Sequence, residues 1–186
     1  MTDQSANSRT INGIDTQALK QTVSDIKENP DLAQCEFRVH NKWIKGDMNQ
    51  SEVFGYFAAG SEQRHRETFR FLAAEPELLA GTDSGANPVE LLLSGLSACM
   101  TTTIAYYAAL NGHKIEKMES EFKGELDLQG LLNLDAGVRP GYQKIKAKFK
   151  IKTDTPVKEL EQYYRFSPVY DVVSKSVPVE VSFEAD

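Results

Sequence analysis

The sequence predicts an α+β fold in a single domain, and three observations carry that prediction. Two stretches, 115–127 and 142–152, alternate residue by residue between charged and uncharged side chains, the pattern of strands with one wet face. A run of 23 residues from Leu91 to His113 carries no formal charge and is framed by helix start and stop signals. Strand and helix signals then come in the order small β-rich stretch, long helix, strand pair, helix, last strand. That order suits helices held against curved antiparallel sheet. Composition agrees with a packed core. Of 186 residues, 40% are hydrophobic and 26% charged, too apolar for disorder and too mixed for a coiled coil.

Residues 1–10, MTDQSANSRT, read as a polar tail. A surface helix follows at 15–29: Leu19, Val23 and Ile26 share one stripe, and Asn29-Pro30 stops it. We divide the chain into this tail and helix (1–30) and one domain (31–186). Residues 35–44, with Phe37, Val39, Trp43 and Ile44, read as a strand, and further strands are expected near 52–58 and 65–72. In the last of these, Phe69 and Phe71 alternate with Arg66, Thr68 and Arg70. Together they form a small antiparallel sheet, followed by a loop at 73–86.

The long helix is expected over 87–111. Asn87 caps it, Pro88 takes the first helical position, Glu90 completes a capping box, and Asn111-Gly112 ends it. Its length and lack of charge also fit a membrane span. Ser94, Gly95, Ser97 and Thr101 to Thr103 weaken the apolar run, and no basic flank precedes it. A helix without a polar face is instead expected in a core or between subunits.

In 142–152, Lys144, Lys146, Lys148, Lys150 and Lys152 alternate with Ile145, Ala147, Phe149 and Ile151. In 115–127, Glu119, Glu121, Glu125 and Asp127 share one row with Lys123. The acids match the lysines, so the two strands are expected as antiparallel neighbours, with odd positions opposite even ones. The lysine row is therefore a neutralised solvent face rather than a nucleic-acid stripe. A helix capped by Thr155 is expected from Pro156 to about Arg165. Ser167-Pro168 starts a short one, and a strand at 177–183 closes the chain.

Function classes narrow on the same grounds. Net charge is −6, which disfavours nucleic acid as a partner. Cys35 and Cys99 form no CxxC and no disulfide framework. His40, His65 and His113 show no metal-ligand spacing, so no metal or cofactor is expected. No apolar signal-peptide segment is visible, and a cytoplasmic protein with reduced thiols is expected. The string Gly95-Leu96-Ser97-Ala98-Cys99 lacks the final glycine of a nucleophile elbow and lies inside a helix, not at a strand-to-helix turn. The segment 81–87 lacks the lysine of a P-loop. Cys99, mid-helix among Leu96, Ala98 and Met100, reads on composition alone as a small buried hydrophobe.

The order of three segments changes that reading. NPVELLLSGLSAC (87–99), GELDLQG with AGVRPGYQKIK (124–146) and FSPVYDVVSKSVPVEV (166–181) resemble the OsmC/Ohr family of thiol-dependent organic hydroperoxide reductases. The resemblance covers roughly 80–186 in motif and 35–72 in layout. It implies an intertwined homodimer, two long central helices wrapped by antiparallel sheets, and active sites at the subunit interface. It implies a peroxidase of the oxidative stress response, with Cys99 as the peroxidatic cysteine that attacks the peroxide oxygen. The family's second, resolving cysteine falls at Ser167, which cannot form a disulfide and has its own use as a helix cap. The family's helix glutamate falls at Val89. Glu90, one residue on, serves either as that glutamate or as the capping carboxylate. The first β-turn, WIKGDMNQ, offers Lys45 where the family carries an arginine. Arg64, Arg66, Arg70 and Arg139 remain possible replacements, and a lysine lacks the bidentate fork.

Nine helical residues put Glu90 and Cys99 on opposite faces, about 13.5 Å apart along the axis. Any cooperation between them runs in trans, across a two-fold axis. The expected activity is one-cysteine reduction of a small hydrophobic hydroperoxide, with an external thiol or dithiol as reductant. The alternative is a catalytically degenerate homodimer of the same fold that binds a small apolar ligand.

Overall fold

The computed structural model describes residues 10–186. The expected tail at 1–10 lies outside these residues apart from Thr10, which opens the first strand. The chain divides into two compact units. One comprises Leu93–Asp186 with the N-terminal segment through Gln17, the other Ala18–Leu92.

The first unit opens with a hairpin, β1 (Thr10–Ile11) and β2 (Ile14–Asp15), turned by Asn12 and Gly13 at φ 54° and 77°. Both central residues are left-handed, as a two-residue hairpin turn requires. The Asn12 amide ties the hairpin down: it donates to His113 O at 3.1 Å and accepts the Ile115 N–H at 2.8 Å. The main sheet of this unit consists of β7 (Ile115–Glu125), β8 (Lys144–Thr153) and β9 (Val179–Ala185), with one helical turn, α3 (Leu128–Leu131), between β7 and β8. β7 and β8 pair antiparallel as the charge rows predict, with Glu119 opposite Lys150, Glu121 opposite Lys148 and Glu125 opposite Lys144.

The expectation of wholly antiparallel sheets fails at β9, which runs parallel to β8. The segment between them is a helical crossover, which returns the chain to the end where β8 began, and parallel pairing follows. The parallel register sets acids of β9 and of the residue after it beside the lysines. Lys148 pairs with Glu184 at 2.7 Å and Lys150 with Asp186 at 2.6 Å, while Lys146 reaches Glu125 on β7 at 2.8 Å. The lysine row is thus neutralised from both sides. Behind it, Ile145, Ala147, Phe149 and Ile151 are buried, with Phe149 between the rings of Phe122 (5.7 Å) and Phe183 (5.1 Å). A side chain at Gly124 would collide with the Tyr142 ring, so only glycine fits there.

The crossover also corrects the helix expected from Pro156 to Arg165. α4 covers only Val157–Leu160, Pro156 occupies its N-cap position without a side-chain cap, and a 3-10 turn, Tyr163–Phe166, follows. A 3-10 turn stacks residues three apart. Here that brings Tyr163 and Phe166 together onto the ring of Tyr107, at 5.4 and 4.7 Å. α5 (Pro168–Ser174) begins at Ser167, as expected.

In the second unit, α1 (Thr16–Glu28) begins in the last residues of the first unit and leads to a sheet of β3 (Glu36–Phe37), β4 (His40–Lys45), β5 (Met48–Ala58) and β6 (Ser61–Ala73). The single strand expected at 35–44 is two, β3 and β4, both paired antiparallel with β5. β6 pairs with the other edge of β5 and bulges between Arg64 and Phe69. Phe37 (76% exposed), Trp43 (68%) and Phe71 (49%) leave this sheet's apolar side chains in solvent.

Candidate functional site: the Cys99 helix

The remaining long element, α2, spans Pro88–Leu110. Its N-terminus is the predicted capping box: Val89 N–H donates to Asn87 Oδ1 at 2.9 Å, and Asn87 N–H donates to Glu90 Oε2 at 2.9 Å. Gly112, at φ 81°, ends it. The His113 N–H returns to Ala108 O and the Gly112 N–H to Ala109 O, the paired bonds of a Schellman stop. α2 is long and apolar enough to cross a membrane by length and composition. One stripe, Leu96, Met100, Ile104 and Ala108, is fully buried within the chain.

Cys99 lies off that stripe, half-buried, as a free thiol. Its flank also carries Leu92 and Tyr106, each 44% exposed. Gly95 stands one turn before it, and beyond the helix's own backbone a Cβ there would meet none of the described residues within 4 Å. Helical side chains lean toward the N-terminus, so the Cys99 thiol leans over the notch that Gly95 leaves. Thr103 Oγ1 donates to Cys99 O at 2.8 Å, which keeps its hydroxyl within the helix.

The other site residues have structural partners. Glu90 spends one carboxylate oxygen on the N-cap and sits on the opposite helix face from Cys99. Ser167 is fully buried; its Oγ accepts the Tyr170 N–H at 3.2 Å, and its N–H donates to Tyr164 O at 3.0 Å. The Phe166 stack on Tyr107 seats this segment against α2, two turns beyond Cys99, about 12 Å of helix rise. Arg139 donates to Ser176 O at 2.7 Å, past the C-terminus of α5. On the other unit Arg70 pairs with Glu52 at 2.8 Å, and Lys45, Arg64 and Arg66 are exposed on β4 and β6. Arg38 is held by Glu36 and Glu62, which raise its pKa.

Sequence reasoning missed one cluster at the approach to α2. Asp47, in the β4–β5 turn, accepts three hydrogen bonds on Oδ2: from Glu75 N–H (2.9 Å), Thr82 N–H (2.8 Å) and Thr82 Oγ1 (3.0 Å). The Thr82 and Glu75 amides hold its carboxyl down at about 2. These bonds join residues far apart in sequence and leave no periodic trace; only the turn-like KGDMNQ hinted at Asp47.

With this geometry in hand, comparison with known proteins places the chain. The family model for OsmC-like protein matches residues 81–182. The chain belongs to the OsmC-like family. Its fold is similar to that of an OsmC-like protein from Mycoplasma pneumoniae, with a TM-score of 0.62 at 15% identity, over 81% of this chain and 96% of that one. Similar likeness holds for organic hydroperoxide resistance proteins of Elizabethkingia anophelis (TM-score 0.56, 14% identity, 81% and 97% covered) and Legionella pneumophila (0.51, 16%, 80% and 97%). At these identities the likeness is one of fold. No curated protein sequence matches the chain.

Proposed function

We propose that this OsmC-family chain is a cytoplasmic one-cysteine peroxidase, active as an intertwined homodimer, that reduces small hydrophobic organic hydroperoxides at Cys99. The observation that carries the reading is the thiol's placement: half-exposed, mid-helix, leaning over the open notch at Gly95. A merely packed cysteine on this helix belongs on the stripe of Leu96, Met100 and Ile104, and Cys99 is off it. In the reaction the thiolate attacks one peroxide oxygen. The S–O bond forms, the O–O bond breaks, and the alcohol leaves with a proton. An external dithiol then reduces the sulfenic acid, forming its own disulfide and releasing water. Two features support the dimer. Among the described residues α2 buries little beyond one stripe, and Phe37, Trp43 and Phe71 await cover on the β3–β6 sheet. A second subunit also supplies the only way for a Glu90 to approach a Cys99.

The occupation of Glu90 and Ser167 as helix caps favours a second reading, a degenerate homodimer that holds a small apolar ligand beside Cys99. Hydroperoxide consumption in the presence of a dithiol separates the two. Turnover by the wild type and none by Cys99→Ser is the expected result, and equal rates would sink the peroxidase. Ser167→Cys sharpens the test. It restores a thiol at the family's resolving position for the loss of a cap worth about 0.5–2 kcal/mol. On peroxide treatment the new thiol should bridge to Cys99. A folded, dimeric variant that never forms the bridge would support the ligand-binding reading.

A further inference from the structure

We propose that Asp47 is a positioning residue for the N-terminal end of the Cys99 helix, acting through the segment 74–87 as a strap. The inference rests on the peroxidase reading only for its catalytic consequence. The strap itself stands on geometry within one compact unit. Asp47 Oδ2 gathers Glu75 N–H, Thr82 N–H and Thr82 Oγ1, all within 3.0 Å. One carboxylate oxygen thereby clamps the strap at two points seven residues apart. At these two points the strap folds back on itself: Asp83 N–H donates to Glu75 O at 3.0 Å, and a side chain at Gly81 would collide with that same carbonyl. Thr82 Oγ1 also shares a hydrogen bond with Ser84 Oγ at 2.8 Å. At the far end Ala74 N–H donates to Ala86 O at 3.3 Å, and Gly85 passes so close to Leu72 O that an added Cβ would lie 2.7 Å from it.

The clamp then reaches the helix through Glu75. Its backbone N–H is held by Asp47, and its carboxylate accepts the Asn87 side-chain N–H at 2.6 Å. Asn87 is the N-cap: its Oδ1 takes the Val89 N–H, and its own N–H is taken by Glu90. The chain of contacts Asp47, Glu75, Asn87, Glu90 runs without a gap from the β4–β5 turn to the first turn of α2. Asn87 is oriented from both sides, by Glu75 on its amide nitrogen and by Val89 on its oxygen. A cap fixed in this way sets the direction in which the helix leaves the strap and the direction in which Glu90 points. A carboxylate is suited to the task, because it accepts several charge-assisted bonds at once and stays ionised down to about pH 2.

Hydrogen–deuterium exchange of the full chain tests this without reference to activity. Asp47→Ala should speed exchange roughly tenfold at the Glu75 and Thr82 amides and severalfold over 86–91, while β7 and β8 keep wild-type protection. Asp47→Asn retains an acceptor oxygen and should restore most of that protection, whereas a pure charge effect would not be rescued. If Asp47→Ala fails to fold, Thr82→Val removes one donor alone and should give a smaller change in the same two regions. Unchanged exchange over 86–91 in whichever of these variants folds would overturn the strap. In the hydroperoxide assay Asp47→Ala should lower kcat by roughly three- to tenfold, with Asp47→Asn closer to wild type. If the wild type has no turnover but the exchange results hold, the peroxidase reading fails and the strap stands. If the wild type turns over and 86–91 is unmoved, the reverse is true.

Discussion

The two larger sheets among the described residues solve the same problem in different ways. In β7–β8–β9 every row has its partner inside the chain. The inner row, Ile145 to Ile151, is buried, and the outer lysines meet acids on both neighbouring strands. In β3–β6 the rows are unfinished. β4 is exposed along its whole length, and Phe37, Trp43, Phe69 and Phe71 all stand in solvent. Aromatic contacts do form there, Tyr56 with His65 at 5.1 Å and His65 with Phe69 at 5.1 Å, but Phe69 beside them remains 43% exposed. A sheet that completes its core alone stabilises the single chain. One that does not leaves apolar surface open, the surface that the proposed second subunit would cover.

The comparison breaks first on Phe149. This ring is fully buried between two others, and Phe149→Ala should cost about 3–5 kcal/mol in urea unfolding. Trp43→Ala, on the exposed strand β4, should stay within about 0.5 kcal/mol when measured on dilute monomer. Equal losses would mean the two sheets do not differ in the way described.

Association is the next handle. Phe71→Glu places a charge on the uncovered face, and burying it under a second subunit costs several-fold more than leaving it in water. Light scattering should show a dimer for the wild type and a shift toward the 20.8 kDa monomer for the variant, with a dissociation constant raised by about a hundredfold. A wild type that is monomeric at micromolar concentration would remove the proposed interface.

Much of this division was legible in the sequence. The lysine and glutamate rows limited the β7–β8 pairing to odd positions opposite even ones, because a one-position slip would turn the charged row of one strand onto the apolar face of the other. The caps of α2 were readable from Asn87, Pro88, Glu90 and Gly112, since capping chemistry is local. What stayed hidden was non-local. The parallel return of β9 depends on the length of the crossover. The break of the expected 156–165 helix depends on Tyr107, more than fifty positions away, which draws Tyr163 and Phe166 to one side. The Asp47 clamp is invisible for the same reason. The β1–β2 hairpin was missed for another: its Asn12-Gly13 signal is flanked by only two residues a side, too little alternation to declare a strand. As for the site, motif order picked out Cys99, Glu90 and Ser167, and local chemistry explains the caps at the last two. Neither reveals the notch at Gly95.

That notch makes a smaller and sharper test. Alanine is favoured over glycine inside a helix by roughly 0.5–1 kcal/mol, and beyond its own helix a Cβ at position 95 meets none of the described residues within 4 Å. Gly95→Ala should therefore raise the Tm. If the peroxide approaches Cys99 over this position, the same change should lower kcat/KM. Stability and activity moving in opposite directions would support the open notch as the approach. Both rising together would leave the glycine without a part in access.

The smallest expected effect belongs to the outer face of β7–β8–β9. Lys150 donates to Asp186 and, with Lys117, holds that carboxyl below its usual range; Lys146 does the same to Glu125. A carboxyl depressed in the folded state adds stability above its unfolded pKa, and that stability is lost as pH falls through the folded value. Lys146 is itself raised above 10.5 by Glu125, so its share is present below that pH and fades as pH rises through the folded value. Lys146→Gln and Lys150→Gln should each lower the urea midpoint slightly at neutral pH. The difference from wild type should shrink as pH falls through the folded carboxyl values, and shrink in about 1 M salt, where exposed pairs are screened. The groups are open to solvent, so the change should be smaller than that of Gly95→Ala. A difference that survived both acid and salt would show that the lysine stems, lying across the sheet, stabilise it by packing rather than by charge.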